Sequence, residues 1–411
     1  MTEGTVDGLL PIELFVVLVA VGAGVALLAR RTVLPYSLAL VLAGLALAVV
    51  IPGTHVAITP ELILAVLLPG LVFEAAYKID VRALRDTFGI VLFLAAPGVI
   101  ITAGLVAVAV HVVTGLDLTL AFLLGAMISA TDPVAVVALF KRLGAPTRLA
   151  TAVEAESLLN DGTGVVLFAI ALTALSGPVT LVDGVVSFVL TVVVSTVIGL
   201  GAGAVAYRIM RLTNDHLIEV AISLVAAYGT YLVADRLHES GIIATVVVGV
   251  VFGWLSGPRP LSRRTTEALD TVWEFVAFLL TALTFLLVGL AISPSLLVTA
   301  APVIVVGFVA ITVARALVVY GLIGGAERLL PGPGMLPLGY LHVMFWSGLR
   351  GAIAVALALA LPVDLPQRDL LTGAVYGIVL VTLLVQGTTA GWVVRRSGIP
   401  ISPPDDAEAG A

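Results

Sequence analysis

Cysteine is absent from the 411 residues, which excludes disulfides, thiolate metal sites, iron–sulfur clusters and thiol nucleophiles. Charge is scarce as well. Asp, Glu, Lys and Arg together make up 11% of the chain, against roughly 25% in ordinary soluble domains. The net charge is −6, and no basic cluster is large enough to grip nucleic acid. No GxxxxGKS or GxxxxGKT stretch occurs, so the chain lacks the phosphate cradle of a nucleotide-driven pump. A positive N-terminal region is missing too: Glu3, Asp7 and Glu13 precede the apolar run Phe15 to Leu28, which ends in Arg30-Arg31. That order reads as a retained first span rather than a cleaved signal.

What is present is apolar surface. Hydrophobic residues account for 60% of the chain, more than a soluble fold of this length hides behind so few charges. The chain is therefore an all-α polytopic membrane protein. Dividing it at charged, Pro-rich and Gly-rich punctuation into runs of about 20 residues predicts about thirteen spans. Their centres lie near Leu18, Leu42, Leu67, Thr102, Met127, Leu167, Val194, Val225, Val248, Leu280, Phe308, Gly348 and Leu380.

Basic residues give the orientation, because cytoplasmic segments collect Lys and Arg. With the first span starting outside, the inner segments hold Arg30, Arg31, Lys78, Arg82, Arg85, Lys141, Arg142, Arg148, Arg208, Arg211, Arg259, Arg263, Arg264, Arg328, Arg395 and Arg396. The outer side keeps only Arg236 and Arg368, and Arg315 and Arg350 fall within spans. This puts the N-terminus outside and the C-terminus, with a short tail from 397 to 411, in the cytoplasm.

Ionisable groups at bilayer depth are costly and mark function by default. The spans contain Glu74, Asp132, Glu154, Glu156, Asp161, Arg315 and Arg350, with four of the five acids between Asp132 and Asp161. In the fifth span, Ser129-Ala130-Thr131-Asp132-Pro133 combines a strong N-cap with a residue favoured at the first helical position. The span is predicted to stop near Ser129 and restart at Pro133, exposing carbonyls and amides. A simple Pro kink is the plainer alternative. In the sixth span, Ser157 and Asp161 share one face, and Glu156 and Asn160 the adjacent one. Asp161, Ser157 and the carbonyls of the broken span are hard oxygen donors, suited to a small cation such as Na⁺ or Li⁺.

The twelfth span carries Phe345-Trp346-Ser347-Gly348-Leu349-Arg350-Gly351-Ala352, a buried charge between two glycines, with Glu156 or Glu154 as the obvious counter-ion. Seven crossings separate it from the fifth span, so the two run antiparallel. Disrupted helices in antiparallel positions of two inverted repeats are the best sequence pointer to a secondary-transporter site. Weaker signals are Glu74, four residues before Lys78, and His342, which reads as a packed histidine. Arg315 has no assignable partner. Gly199, Gly201 and Gly203 suggest tight helix packing.

Three segments carry a resemblance. Ala130-Thr131-Asp132-Pro133, Glu156-Ser157-Leu158-Leu159-Asn160-Asp161-Gly162 and Gly348-Leu349-Arg350-Gly351-Ala352 resemble the signature segments of the NhaP-type monovalent cation/proton antiporters, relatives of the animal Na⁺/H⁺ exchangers. The resemblance implies a homodimer in the inner cell membrane without cofactor, nucleotide or nucleic-acid partner. Residues 1–396 would form the transmembrane domain. Each protomer would have a core at about 87–176 and 297–396 and an interface domain at about 11–78 and 182–292, with helices 5 and 12 unwound and crossing. It further implies that Asp161 carries ion and proton, that Thr131, Asp132 and Ser157 join it in binding Na⁺, and that Glu74 contributes remotely. Asn160 would support the site, and Glu156 with Arg350 would form a buried ion pair.

The expected function is electroneutral Na⁺ (or Li⁺)/H⁺ antiport, with K⁺/H⁺ antiport and a passive cation channel as alternatives. The chain is not expected to be an enzyme: the in-span His111 and His342 have no serine or aspartate partner that would make an intramembrane hydrolase.

Overall fold

In lipid the backbone has no water to bond, so each apolar run satisfies its N–H and C=O groups internally as a helix. The computed structural model describes residues 11–29, 31, 34–50, 59–177, 180–213, 215–256, 262–325 and 336–401, and among these the regular structure is all helical, without a strand. Glu3, Asp7, Arg30, Arg259, Arg328 and the tail from 402 onward lie outside the described residues.

The first rods are α1 (Pro11–Ala29), α2 (Tyr36–Val50), α3 (60–78) and α4 (Val81–Thr114). A broken pair follows, α5a (Leu118–Ser129) and α5b (Val134–Leu143). Next come α6 (Thr147–Ser176), α7 (Leu181–Met210), α8 (His216–Arg236), α9 (Gly241–Ser256), α10 (Arg263–Ala291) and α11 (Pro294–Ile323). The second broken pair is α12a (Leu338–Trp346) and α12b (Ala352–Leu359), followed by α13 (Arg368–Arg396).

Among the described residues, eight helices are long and apolar enough to cross a membrane, with shorter apolar helices at Phe15–Ala29, Tyr36–Val50 and Gly241–Leu255. Together with α3 and the broken α12 they are consistent with about thirteen crossings. The protein is an integral membrane protein. Each expected span centre falls on its own rod, except that Gly348 falls in the α12 break.

Helix ends follow local chemistry. Asp117 caps α5a by accepting from the Thr119 N–H at 2.8 Å and the Leu120 N–H at 3.4 Å, and these backbone donors hold its carboxyl below the usual range. Gly115 (φ 72°) and Gly144 (φ 64°) close α4 and α5b in left-handed geometry. Pro97 does not break α4: a π-helical turn at Leu94–Gly98 absorbs it.

Small residues let backbones approach. A Cβ at Gly44 of α2 would lie 2.2 Å from the Leu286 carbonyl oxygen of α10, and one at Gly289 would lie 2.2 Å from that of Val41. The two helices are locked by this reciprocal contact. Gly199 and Gly203 of α7 receive Val247 and Val251 of α9, whereas Gly201 faces open space. This packing presents α3 and α10 to one side of the crossing made by the broken helices.

Candidate functional site at the helix crossing

A helix interrupted in mid-membrane leaves carbonyls at the end of its first half and amides at the start of its second. Here the two interruptions meet. The Asp132 N–H donates to the Leu349 carbonyl at 2.8 Å, joining the extended segment of α5 to that of α12. Each break then supplies the other with a side chain of the required charge. Arg350 donates from Nη1 to the Ser129 carbonyl and, at 3.0 Å, to the Ala130 carbonyl, placing a cation at the negative C-terminal end of α5a. The Asp132 carboxylate accepts from the Val134 N–H at 3.0 Å and from the Ala352 N–H, placing an anion at the N-terminal ends of α5b and α12b. Gly351 makes this possible: a Cβ there would stand 2.0 Å from Asp132 Oδ2.

Next to this crossing α6 brings up Asp161. A cavity of about 80 Å³ is bounded by Thr131, Asp132, Asp161 and Gly351, with Leu68, Leu71, Val72 and Ala75 of α3 and Thr284 and Phe285 of α10 on the facing wall. That is room for a small ion with a few waters. No described residue donates a hydrogen bond to the Asp161 carboxylate.

Ser157 and Asn160 stand behind the cavity. Ser157 Oγ donates to the Thr131 carbonyl and lies 3.3 Å from Thr131 Oγ1. Asn160 accepts from the Thr131 N–H at 3.1 Å and donates from Nδ2 to Thr131 Oγ1 at 2.7 Å. The sequence pairing of Ser157 with Asp161 on one face therefore resolves differently: Asp161 reaches the cavity, while Ser157 and Asn160 hold the unwound Thr131 in place.

One expectation is corrected. Glu156 does not pair with Arg350. Its two carboxylate oxygens accept from Nη1 and Nη2 of Arg315, the second at 3.0 Å, and Arg315 also donates to the Met344 carbonyl at 2.8 Å. The reason is positional. Arg350 lies in the break, where the Ser129 and Ala130 carbonyls have no intrahelical donors, and they claim its guanidinium. Glu156, 1% exposed, requires a cation, and Arg315 at the end of the long α-helical part of α11 supplies it. The available signal was the count: a buried acid, and two in-span arginines to choose between.

The remaining polar groups lie apart. Glu74 bonds Lys78 at 2.8 Å as a plain i,i+4 pair and does not line the cavity. Glu154 feels the charges of Lys141, Glu74 and Lys78. His342 Nδ1 pairs with the Tyr320 hydroxyl at 2.9 Å, and His111 Nδ1 with the Leu116 carbonyl at 2.7 Å, so both histidines are locally bonded.

Crossed, broken helices around a half-buried carboxylate at bilayer depth define the site of a secondary transporter. Residues 16–396 match the model of the transmembrane sodium/hydrogen exchangers, and the chain belongs to that family. It is 38% identical over 396 residues to the Na⁺/H⁺ antiporter ApNhaP of Aphanothece halophytica, a match covering 94% of this chain and 75% of that protein. It is 34% identical to the Na⁺/H⁺ antiporter NhaH of Halobacillus dabanensis, covering 93% and 96%. The fold matches that of the sodium proton antiporter MjNhaP1 from Methanocaldococcus jannaschii at pH 8, with a TM-score of 0.78, 19% identity, and 94% and 98% of the two chains covered.

Proposed function

We propose that this protein exchanges Na⁺ or Li⁺ for H⁺ across the cell membrane. The observation that carries the reading is the Asp161 carboxylate: it borders a cavity with Asp132 and Thr131, and no described residue hydrogen-bonds it. Proton and cation each neutralise one carboxylate, so they compete for it and never ride together. The cargo cation takes its oxygens from Asp161 and from the Thr131 and Asp132 segment, with Ser157 and Asn160 setting the shape of that segment. Helices α4–α6 and α11–α13 form the moving core, and α1–α3 with α7–α10 the stationary part through which protomers pair as a homodimer. Rocking of the core exposes Asp161 to each side in turn. Asp132 is engaged with two helix N-termini, and Asn160 is an amide, so one titrating carrier moves one proton per monovalent cation. The N-terminus faces outside and the C-terminus the cytoplasm.

The test is flux in proteoliposomes under an imposed pH gradient, with Na⁺, Li⁺ and K⁺ compared side by side. Accumulation of Na⁺ and Li⁺ against their own gradients is the expected result. Accumulation of K⁺ alone overturns the cation assignment, and dissipation of every gradient without accumulation describes a channel.

A further inference from the structure

A second cavity shares no lining residue with the one at Asp161. It is a cleft of about 370 Å³, against about 80 Å³ there, between α5b and α13 on one side and α1, α2 and α10 on the other. Small residues give it width: Ala135 and Ala138 of α5b, and Gly387 and Gly391 of α13. On the facing wall Tyr36 and Phe278 stack with ring centroids 6.1 Å apart. The hydroxyls in the lining are already spent. Tyr36 donates to the Gly22 carbonyl at 3.3 Å, and Thr388 to that of Leu384 at 2.6 Å. The side-chain donors that remain are two guanidinium groups, Arg142 at the end of α5b and Arg395 at the end of α13.

Among the described residues neither arginine forms an ion pair. Arg395 is folded back along its helix: its terminal nitrogens lie 3.6 and 3.7 Å from where a Cβ on Gly391 would stand, a point that Leu139 of α5b also reaches at 3.6 Å. Trp392, three residues before Arg395, marks the depth. Its side chain is 59% exposed with the Arg396 guanidinium 5.6 Å over the ring, and such tryptophans sit at the membrane–water boundary. The two arginines thus stand at headgroup level, and the apolar part of the cleft runs below them at the depth of acyl chains. A cargo cation is repelled by this pair, so the cleft is no route to Asp161. We propose that it holds one anionic phospholipid, with the phosphate on Arg142 and Arg395 and an acyl chain against Tyr36 and Phe278. Basic pockets between spanning helices recognise lipid headgroups in this way. On the antiport reading above, one wall moves against the other, so the lipid is held only in the state that keeps this width.

The experiment titrates purified protein in neutral detergent with phosphatidylglycerol, or with phosphatidylcholine of the same chains. Bound lipid is counted by native mass spectrometry and the melting temperature is followed. Wild type is expected to retain one phosphatidylglycerol per protomer, to be stabilised by it, and to release phosphatidylcholine. Arg142→Gln with Arg395→Gln should weaken phosphatidylglycerol binding by about 10- to 30-fold, the effect of two basic groups at an anionic headgroup. Should that pair fail to fold, each single variant carries the comparison at about fivefold. Ala138→Phe narrows the cleft without touching its charges and should also weaken binding. Arg82→Gln with Arg85→Gln, two exposed arginines outside the cleft, should stay within about twofold of wild type. Unchanged affinity in the Arg142 and Arg395 variants overturns the proposal, as does unchanged affinity in Ala138→Phe or an equal loss in the Arg82 and Arg85 pair. Inorganic phosphate that gives the same arginine-dependent stabilisation assigns the site to a soluble anion and overturns it too. So does an arginine effect on melting that needs no lipid and vanishes on removal of residues 402–411, because the acids Asp405, Asp406 and Glu408 are then the occupant. None of these readouts involves transport, so they stand or fall separately from the antiport reading.

Discussion

Asp132 and Gly351, 219 residues apart in sequence, are in contact so close that a single methyl group between them has no room: a Cβ on Gly351 would lie 2.0 Å from Asp132 Oδ2 and 2.5 Å from its Cβ. The contact brings the Asp132 carboxylate within reach of the Ala352 N–H, so one side chain closes the N-terminal ends of two half-helices. A glycine in the twelfth span is thereby a requirement of an aspartate in the fifth.

Gly351→Ala should separate the two breaks. Overpacking of this kind costs about 1–3 kcal/mol, and the displaced carboxylate loses a helix end. We expect exchange in proteoliposomes to fall at least about tenfold, with a lowered melting temperature in detergent. A variant with wild-type flux would show that the crossing relaxes around a methyl group.

The Glu156–Arg315 pair makes a prediction by contrast. Removing one partner of a buried ion pair is destabilising by about 3–5 kcal/mol, so Arg315→Ala should lower thermal stability sharply and Glu156→Gln in the same background should recover part of the loss. A double-mutant cycle between Glu156 and Arg315 should yield a coupling of roughly 1–3 kcal/mol, and one between Glu156 and Arg350 a much smaller value. Equal couplings would contradict the pairing.

Asp161→Asn keeps the size of the side chain and removes its ionisation. Na⁺-driven proton flux should vanish while the purified protein elutes and melts like wild type. Residual exchange above that of empty vesicles would move the carrier elsewhere, with Asp132 the next candidate.

Charge balance is open to a direct measurement. With Asp132 held by helix ends, a cycle carrying one proton against one cation moves no net charge. Each net charge would couple to voltage by about 2.3 kcal/mol per 100 mV. The steady-state Na⁺ gradient should therefore be the same with and without a potential set by K⁺ and valinomycin; a gradient that follows the voltage would make Asp132 a second carrier.

The spans and both breaks were legible because they rest on local chemistry. Long apolar runs have one solution in lipid, and Asp132-Pro133 both ends one helix and starts another. Pro97 could be mistaken for a break by the same rule, but it lacks a capping residue before it and a π-helical turn takes it up. What the sequence did not settle are choices between equivalent partners. Arg315 and Arg350 are both in-span arginines, and only the crossing, which puts unpaired carbonyls beside Arg350, assigns Glu156 to the other. Ser157 and Asp161 share a helical face, yet the Thr131 carbonyl takes the serine.

The bonds from Arg350 to Ser129 and Ala130 span 221 and 220 positions of chain, and that separation has a consequence for biosynthesis. Ribosomes add roughly 5–20 residues per second, so α5 exists for on the order of 10–40 s before its arginine has been made. Throughout that interval the carbonyls at its break have no guanidinium, Asp132 has one helix end instead of two, and the cavity lacks its Gly351 wall. The nascent chain carries every acidic residue of the site and no assembled site. The crossing and its cavity are therefore complete only when the last third of the protein is in the bilayer.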